Sequence, residues 1–194
     1  MGSPRQHAVR PWARSILVTA CLLGLGVAVA QSRAATDPAG VAPVEGTLMT
    51  VAGEPFSLAS LAGAPALLYF WASWCPDCLE TLETLADLAG RIPPDALIVA
   101  VNVGESREVV RDTLAPIAWD GVVALREAHP DERQPGDGAV PTRRVATQVG
   151  VYGLPALLFL DATGGITLRH EGPLDPDALE RIALERFTAE REAR

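Results

Sequence analysis

Short apolar runs alternate with helical apolar patterns from Glu45 to the end of the chain. The run at 66–71, ALLYFW, has the length of a strand that is buried on both faces. Similar runs predict further strands at 47–51, 96–103, 122–125, 156–161 and 166–171. The last two runs are joined by ATGG, which is typical of a hairpin.

Apolar residues three and four positions apart mark the helices. The residues Leu79, Leu82, Leu85, Ala86 and Ala89 share this spacing and predict a helix that ends near Gly90. The pattern also predicts helices over 106–118, with Ser106 as N-cap, over 143–149 and over 175–194, and a helical turn at 57–61. Strands and helices in this order predict an α/β fold, with a central mixed β-sheet and helices on both faces.

Residues 1–30 have the pattern of an export signal. Three arginines precede a mostly apolar stretch at 16–29, and Ala28-Val29-Ala30 fits a small-residue cleavage site. The apolar stretch is short for a transmembrane helix, which needs roughly 20 residues. Two alternatives remain open, an uncleaved leader that anchors the protein and a lipoprotein signal with acylated Cys21. We expect a flexible tether over 31–44 and one domain over 45–194.

The chain is acidic, with 24 acidic residues against 16 basic ones, and every basic residue is an arginine. Loss of the leader removes Arg5, Arg10 and Arg14, which leaves 13 arginines against 24 acidic residues and a formal net charge of about −11. This balance argues against nucleic acid or an anionic membrane surface as a partner. The export-signal pattern itself predicts a periplasmic or other extracytoplasmic protein.

The sequence YFWASWCPDC places Cys75 and Cys78 two residues apart, which suits a redox couple, part of a metal site or two core residues. After cleavage at Ala30 these are the remaining cysteines, so no framework of structural disulfides is possible. A structural zinc site usually takes four ligands, and beyond this pair the mature chain has His129 and His170 but no second C-x-x-C. The composition therefore favours a redox couple without a metal or prosthetic group.

The position of the pair before a helix predicts its chemistry. Cys75 would be the N-cap, with Pro76 at the first helical position and Asp77 in the first turn. Unpaired backbone N–H groups and the helix dipole would stabilise a Cys75 thiolate, the attacking nucleophile, and Cys78 would resolve the mixed disulfide. The Asp77 carboxylate disfavours a second negative charge, so we expect only a moderately lowered Cys75 pKa and a reductant rather than a strong oxidant.

Several segments of the chain together resemble a known family. FWASWCPDC, with YGLPALLFLDATGGI about 75 residues later, resembles the thioredoxin fold, and specifically the exported TlpA/ResA/CcmG-like thiol-disulfide oxidoreductases. GEPFSLASLAGAPALLYFWASWC and VAVNVGES support that branch, and the resemblance covers roughly 45–187. It implies that Pro155 is a cis-proline facing the disulfide and that Leu154 offers its backbone to an extended substrate. Trp74 and Pro76 are further candidates for substrate contact.

Two positions depart from the family pattern. Tyr69 stands where thioredoxin has a buried acid, and Thr81 stands where the exported reductases often have a glutamate. Glu80 is therefore the candidate for proton transfer and pKa tuning at Cys78. Glu105, in VAVNVGES, follows a predicted strand at the sheet end where function tends to lie, and is a candidate for the rim of the site.

The resemblance implies a reductant of disulfides in exported proteins, for example in cytochrome c or copper-site maturation. Electrons would come from a membrane thiol-disulfide donor, because an oxidising compartment holds no thioredoxin pool. Two other functions remain open. One is an oxidant that donates its disulfide to folding proteins, and the other is a thioredoxin-like carrier that binds Cu(I) on two soft thiolate ligands.

Overall fold

The computed structural model describes residues 43–129 and 144–193. The predicted signal peptide, Cys21, and the predicted tether up to residue 42 lie outside these ranges. Val44, the last residue of the predicted tether, is buried, and its backbone N–H donates a hydrogen bond to the carbonyl of Gly164 at 3.0 Å. The end of the predicted tether therefore packs against the domain.

Within the described ranges, seven strands form one mixed sheet. In chain order they are β1 Thr47–Thr50, β2 Pro55–Ser57, β3 Ala66–Trp71, β4 Leu97–Asn102, β5 Val122–Arg126, β6 Ala156–Leu160 and β7 Ile166–Glu171. Their spatial order is β2-β1-β5-β4-β3-β6-β7. The central strands β3, β4 and β5 are parallel, and every other neighbouring pair is antiparallel. The predicted mixed sheet is confirmed.

The described part of the chain also contains four α-helices and one 3₁₀ helix. They are the 3₁₀ helix Leu58–Leu61 and the α-helices α1 Pro76–Ala89, α2 Arg107–Leu114, α3 Val145–Gln148 and α4 Pro176–Glu192. Helix α1 begins at the proline and ends before Gly90, as its apolar pattern predicts.

Helix α2 corrects one boundary. Ser106 is its N-cap as predicted, because the Ser106 hydroxyl accepts a hydrogen bond from the Val109 N–H at 3.4 Å. The prediction that the helix continues to residue 118 is wrong, since it ends at Leu114. Pro116 follows two residues later, and a proline has no N–H to continue the helical hydrogen bonds.

The strand β3 separates two apolar layers. Leu67, Tyr69 and Trp71 pack with α1, α2 and α4 on one face of the sheet. Ala66, Leu68 and Phe70 pack with the 3₁₀ helix and α3 on the other. This alternation is the two-residue period of a strand, and all six side chains are fully buried. Helical elements therefore cover both faces, as the sequence predicts.

The hairpin between β6 and β7 is fixed by Asp161. One of its carboxylate oxygens accepts hydrogen bonds from the Thr163 N–H at 2.8 Å, the Thr163 hydroxyl at 2.6 Å and the Gly165 N–H at 2.9 Å. In the sheet register, Leu160 lies opposite Ala66 at the start of β3. This hairpin therefore lies at the opposite end of the strands from the point where β3 finishes and the cysteines follow.

Candidate active site

Cys75 and Cys78 form a disulfide at the start of α1, with their Cα atoms 5.2 Å apart. Cys75 is the N-cap residue with an extended backbone, and Pro76 occupies the first helical position, as predicted. The unpaired N–H groups of the first helical turn and the positive end of the helix dipole therefore lie next to Cys75. This environment favours a thiolate when the disulfide is reduced.

The two cysteines differ in access to solvent. Cys75 keeps 7% of its surface exposed, whereas Cys78 is fully buried in the apolar layer beneath α1. Cys75 is therefore the more accessible of the two cysteines to a second polypeptide. This difference agrees with the predicted order, in which Cys75 attacks and Cys78 resolves.

Residues 72–75 form a tight turn between β3 and α1. The Cys75 N–H donates a hydrogen bond to the Ala72 carbonyl at 3.2 Å, and Ser73 and Trp74 occupy the middle of the turn. The Trp74 side chain is 70% exposed. An exposed tryptophan beside the disulfide is a suitable contact for a partner chain, and its predicted role in substrate binding stays a prediction.

Tyr69 places a buried phenol at the position where thioredoxin has a buried acid. Tyr69 on β3 is fully buried beneath α1, and its hydroxyl donates a hydrogen bond to the main-chain carbonyl of Cys78 at 3.0 Å. Burial raises the pKa of Tyr69, and the nearby Asp77 charge adds to this, although an interaction with the Thr81 hydroxyl opposes it. Tyr69 is therefore a neutral hydrogen-bond donor at physiological pH.

Thr81, which stands where the exported reductases often have a glutamate, also contacts the helix backbone. Its hydroxyl donates a hydrogen bond to the Asp77 carbonyl at 2.9 Å, and its side chain is buried. Glu80, the predicted proton-transfer candidate, is exposed. Together with Asp77, it lines a cleft of about 220 Å³ between α1 and the segment before α4, whose other lining residues are Thr81, Pro173, Leu174, Asp175 and Pro176. The proposed role of Glu80 stays a prediction.

The peptide bond between Leu154 and Pro155 is cis, so the predicted isomer is confirmed. The Pro155 carbonyl accepts a hydrogen bond from the Gly172 N–H at 2.8 Å, which ties this segment to the end of β7. Leu154 is partly buried and contacts both apolar layers. That these two residues bind substrate remains a prediction.

A second exposed aromatic residue, Tyr152, was not singled out from the sequence. Its side chain is 83% exposed, and its backbone N–H donates a hydrogen bond to the Glu171 carboxylate at 3.4 Å. Phe70 near the end of β3 pairs with Ala156 at the start of β6. The segment after β3, which carries Trp74, and the segment before β6, which carries Tyr152, therefore lie at the same end of the sheet. The signal was present in YGLP, but a single exposed tyrosine is not distinguishable from a loop residue by sequence.

Glu105, the predicted rim residue, contacts the turn that precedes Cys75. Its carboxylate accepts hydrogen bonds from the Ser73 N–H at 2.7 Å and the Ser73 hydroxyl at 2.5 Å. The Asn102 side-chain amide donates a third hydrogen bond to it at 2.6 Å. The sequence pattern correctly placed Glu105 at the end of the sheet where β3 and β4 finish. It did not indicate these partners, because 32 residues separate Ser73 from Glu105.

A family model described as a thioredoxin-like domain matches residues 54–186. The chain therefore belongs to the thioredoxin-like family, and its α/β fold is the fold that the sequence predicts. The match spans the cysteine pair, the turn before it and the cis-proline.

Two curated relatives illustrate the similarity in sequence. Thiol:disulfide interchange protein DsbE of Escherichia coli (strain K12) is 29% identical over 118 residues, which are 61% of this chain and 55% of DsbE. The soluble secreted antigen MPT53 of Mycobacterium tuberculosis is 57% identical over 30 residues, 16% of this chain and 17% of MPT53. These matches agree with the predicted TlpA/ResA/CcmG-like branch. The aligned part is little more than half the length of DsbE.

Among solved structures, a secreted disulfide oxidoreductase of Mycobacterium tuberculosis, described as homologous to DsbE of Escherichia coli, superposes with a TM-score of 0.58. It is 24% identical, and the superposition covers 75% of this chain and 96% of that one. At this identity the likeness supports the fold. No helix in the described ranges is long and apolar enough to span a membrane.

Proposed function

We propose that the protein is a thiol-disulfide oxidoreductase that uses Cys75 and Cys78 as its redox couple. The observation that carries this proposal is the disulfide at the N-terminus of α1, in which Cys75 keeps 7% of its surface exposed and Cys78 is fully buried. A thiolate stabilised at a helix N-terminus is a nucleophile, and a second thiol within bonding distance can release the product.

In the proposed direction, the reduced protein transfers two electrons to a substrate disulfide. The Cys75 thiolate attacks one substrate sulfur, the substrate S–S bond breaks, and the first substrate thiolate leaves with a proton from solvent. The Cys78 thiolate then attacks Cys75 in the mixed disulfide, which forms the Cys75–Cys78 bond and releases the second substrate thiol. A dithiol donor must reduce this bond again before the next cycle.

We propose that the substrates are disulfides of exported proteins and that a membrane thiol-disulfide protein supplies the electrons. The export-signal pattern of residues 1–30 supports this, and so do the descriptions of a curated relative and of a similar solved structure, both from Mycobacterium tuberculosis, as secreted. Cytochrome c and copper-site maturation are the client classes implied by the resemblance. The redox couple itself accounts for the electron transfer, so the proposal needs no prosthetic group.

The reducing direction is supported by Asp77, which is exposed in the first turn of α1, two residues after Cys75. Its negative charge opposes formation of the Cys75 thiolate and therefore makes the reduced state less favourable than in a strong oxidant. A less stable reduced state gives up its electrons more readily.

The experiment that tests the activity traps the mixed disulfide. The reduced Cys78→Ser variant, mixed with a disulfide-bonded protein substrate, should accumulate an adduct through Cys75 that mass spectrometry detects without reductant. The matched Cys75→Ser variant should accumulate none through Cys78, because that thiol is buried. Equal adducts in both variants, or none in either, would contradict the proposal. Tight one-to-one Cu(I) binding by wild-type protein without disulfide turnover would favour the carrier alternative.

A further inference from the structure

Three donors from the described residues converge on the Glu105 carboxylate. The Ser73 N–H and the Asn102 side-chain amide donate to one oxygen, at 2.7 Å and 2.6 Å, and the Ser73 hydroxyl donates to the other at 2.5 Å. Hydrogen bonds to an ionised acceptor are among the strongest in proteins. Both polar groups of Ser73 that can donate are thus held by one side chain.

The local sequence N-V-G-E explains why Glu105 reaches Ser73. Asn102 is the fully buried last residue of β4, and its side-chain oxygen accepts a hydrogen bond from the Glu105 N–H at 3.2 Å. Gly104 between them has a φ of 78°, which glycine adopts without strain. This turn brings Glu105 back over the end of the sheet, toward the turn that leaves the neighbouring strand β3.

Ser73 lies two residues before the nucleophilic cysteine. The turn that contains it is closed by the hydrogen bond from the Cys75 N–H to the Ala72 carbonyl. The position of Ser73 therefore sets the direction in which the chain enters α1, and with it the position of the Cys75 sulfur before the helix N-terminus. Because the dipole effect falls off within the first helical turn, a small displacement of this sulfur changes how strongly its thiolate is stabilised.

We propose that Glu105 is a positioning residue for Cys75, acting through Ser73. It holds the 72–75 turn so that the Cys75 sulfur lies in front of the first-turn N–H groups, while the carboxylate itself takes no part in disulfide exchange. The functional consequence rests on the proposed function, but the geometric claim can be tested on the reduced thiol without any turnover.

The matched variants are Glu105→Gln and Glu105→Ala. A glutamine oxygen can keep the bonds from the Ser73 N–H and Asn102, and the glutamine NH₂ can donate to the Ser73 hydroxyl, which rotates to accept. Glu105→Gln therefore removes the charge and keeps the anchor, whereas Glu105→Ala removes both. A difference between the two variants measures the anchor alone.

The measurement is the rate at which iodoacetamide alkylates Cys75 in the reduced full-length protein, followed from pH 5 to 10 by mass spectrometry of the Cys75 peptide. We expect the midpoint of this profile to lie at higher pH in Glu105→Ala than in Glu105→Gln. At pH 7 the alanine variant should react roughly threefold to tenfold more slowly than the glutamine variant, because less of its thiol is ionised.

Asp161→Ala is the control for general destabilisation. Asp161 also accepts hydrogen bonds from a hydroxyl and from backbone N–H groups, but it lies in the hairpin between β6 and β7, at the other end of the sheet. Its removal should lower the midpoint of urea unfolding and leave the Cys75 profile unchanged. If Glu105→Ala does not fold, Ser73→Ala serves instead, since it removes the 2.5 Å bond and should shift the profile in the same direction by less.

The outcomes separate this inference from the proposed function. Coincident alkylation profiles for Glu105→Ala and Glu105→Gln, or for Ser73→Ala and wild type where the alanine variant does not fold, would overturn the positioning role. That result would leave any disulfide exchange by wild-type protein untouched. Separated profiles in a protein whose Cys78→Ser variant traps no substrate would support the positioning role and count against the oxidoreductase. A shift in Asp161→Ala equal to that in Glu105→Ala would also overturn the inference.

Discussion

The hydroxyl of Tyr69 donates a hydrogen bond to the main-chain carbonyl of Cys78 at 3.0 Å. This bond ties the first turn of α1 to the central strand β3, directly beneath the resolving cysteine. In thioredoxin this position of the chain carries an acid. Here burial raises the pKa of the phenol, so the group below Cys78 holds the helix in place without carrying a charge.

Tyr69→Phe should lower the free energy of unfolding by about 1 kcal/mol, because it removes one buried hydrogen bond and keeps the ring. Urea unfolding of the oxidised protein measures this. Tyr152→Phe is the matched control, since its side chain is 83% exposed, and should change stability by no more than a few tenths of a kcal/mol. Equal stability of Tyr69→Phe and wild type would show that the bond contributes nothing.

Asp77→Asn should lower the pKa of the Cys75 thiol in the reduced protein, since it removes a negative charge from the first turn of α1. The pH dependence of thiolate absorbance at about 240 nm reports this pKa. Glu83→Gln, an exposed residue farther along the same helix, should change it much less. Identical titrations of Asp77→Asn and wild type would remove the electrostatic basis for the reducing direction.

Trp74→Ala should lower kcat/KM for a protein disulfide by about tenfold, which corresponds to about 1.4 kcal/mol and is typical of a central aromatic contact. The rate with a small disulfide should stay near the wild-type value, because a small substrate does not reach the indole. Val109→Ala, which removes an exposed apolar side chain on α2, is the control. A similar loss for both substrates would indicate that Trp74 supports the turn rather than the partner.

The buried carboxyl group of Glu127 makes the stability of the protein depend on pH. Its side chain is buried, one oxygen accepts a hydrogen bond from the Ala146 N–H at 2.9 Å, and the other has no hydrogen-bond partner among the described residues. Burial raises the pKa of Glu127, although the Ala146 bond and the charge of Arg144 oppose this. Its folded-state pKa thus lies above its unfolded value, so the stability it contributes at acid pH is lost as pH rises through the folded pKa.

Glu127→Gln should remove this loss, because the amide does not titrate and can still accept the Ala146 bond. Urea unfolding between pH 4 and 8 should show the stability of Glu127→Gln, relative to wild type, increasing with pH and then levelling off. Parallel curves for the two proteins would mean that burial does not perturb this carboxyl group.

Local patterns predicted the elements that position the disulfide. ALLYFW forms β3 as a strand buried on both faces, and C-P-D-C places Cys75 at the N-cap of α1, because apolar run length and proline position are local signals. The three-residue edge strand β2, Pro55–Ser57, was not predicted as a strand, since it is too short to show a period among turn residues. The apolar pattern alone predicts too late an end for α2, because it continues past Pro116, which cannot continue the helical hydrogen bonds.

Contacts between distant segments could not be predicted in this way. The position of Glu105 after a strand correctly predicted that it lies at the carboxyl end of the parallel strands. Its hydrogen bonds to Ser73, however, depend on the parallel register of β3 and β4. Tyr69 was recognised as a departure from the family, yet its partner, the Cys78 carbonyl, becomes evident only when α1 is packed on β3. Sequence patterns can single out such residues, but their hydrogen-bond partners depend on how the strands and helices pack.

The equilibrium reduction potential of the Cys75–Cys78 couple tests the central claim most directly. Purified protein would be equilibrated with thiol buffers of known potential, and its dithiol fraction would be read by thiol trapping and mass spectrometry. We predict a value at or below about −230 mV, in the range of thioredoxins and the more reducing glutaredoxins. A value near the roughly −120 mV of strong oxidants would make the protein a disulfide donor, and failure to form the disulfide would contradict a redox role altogether.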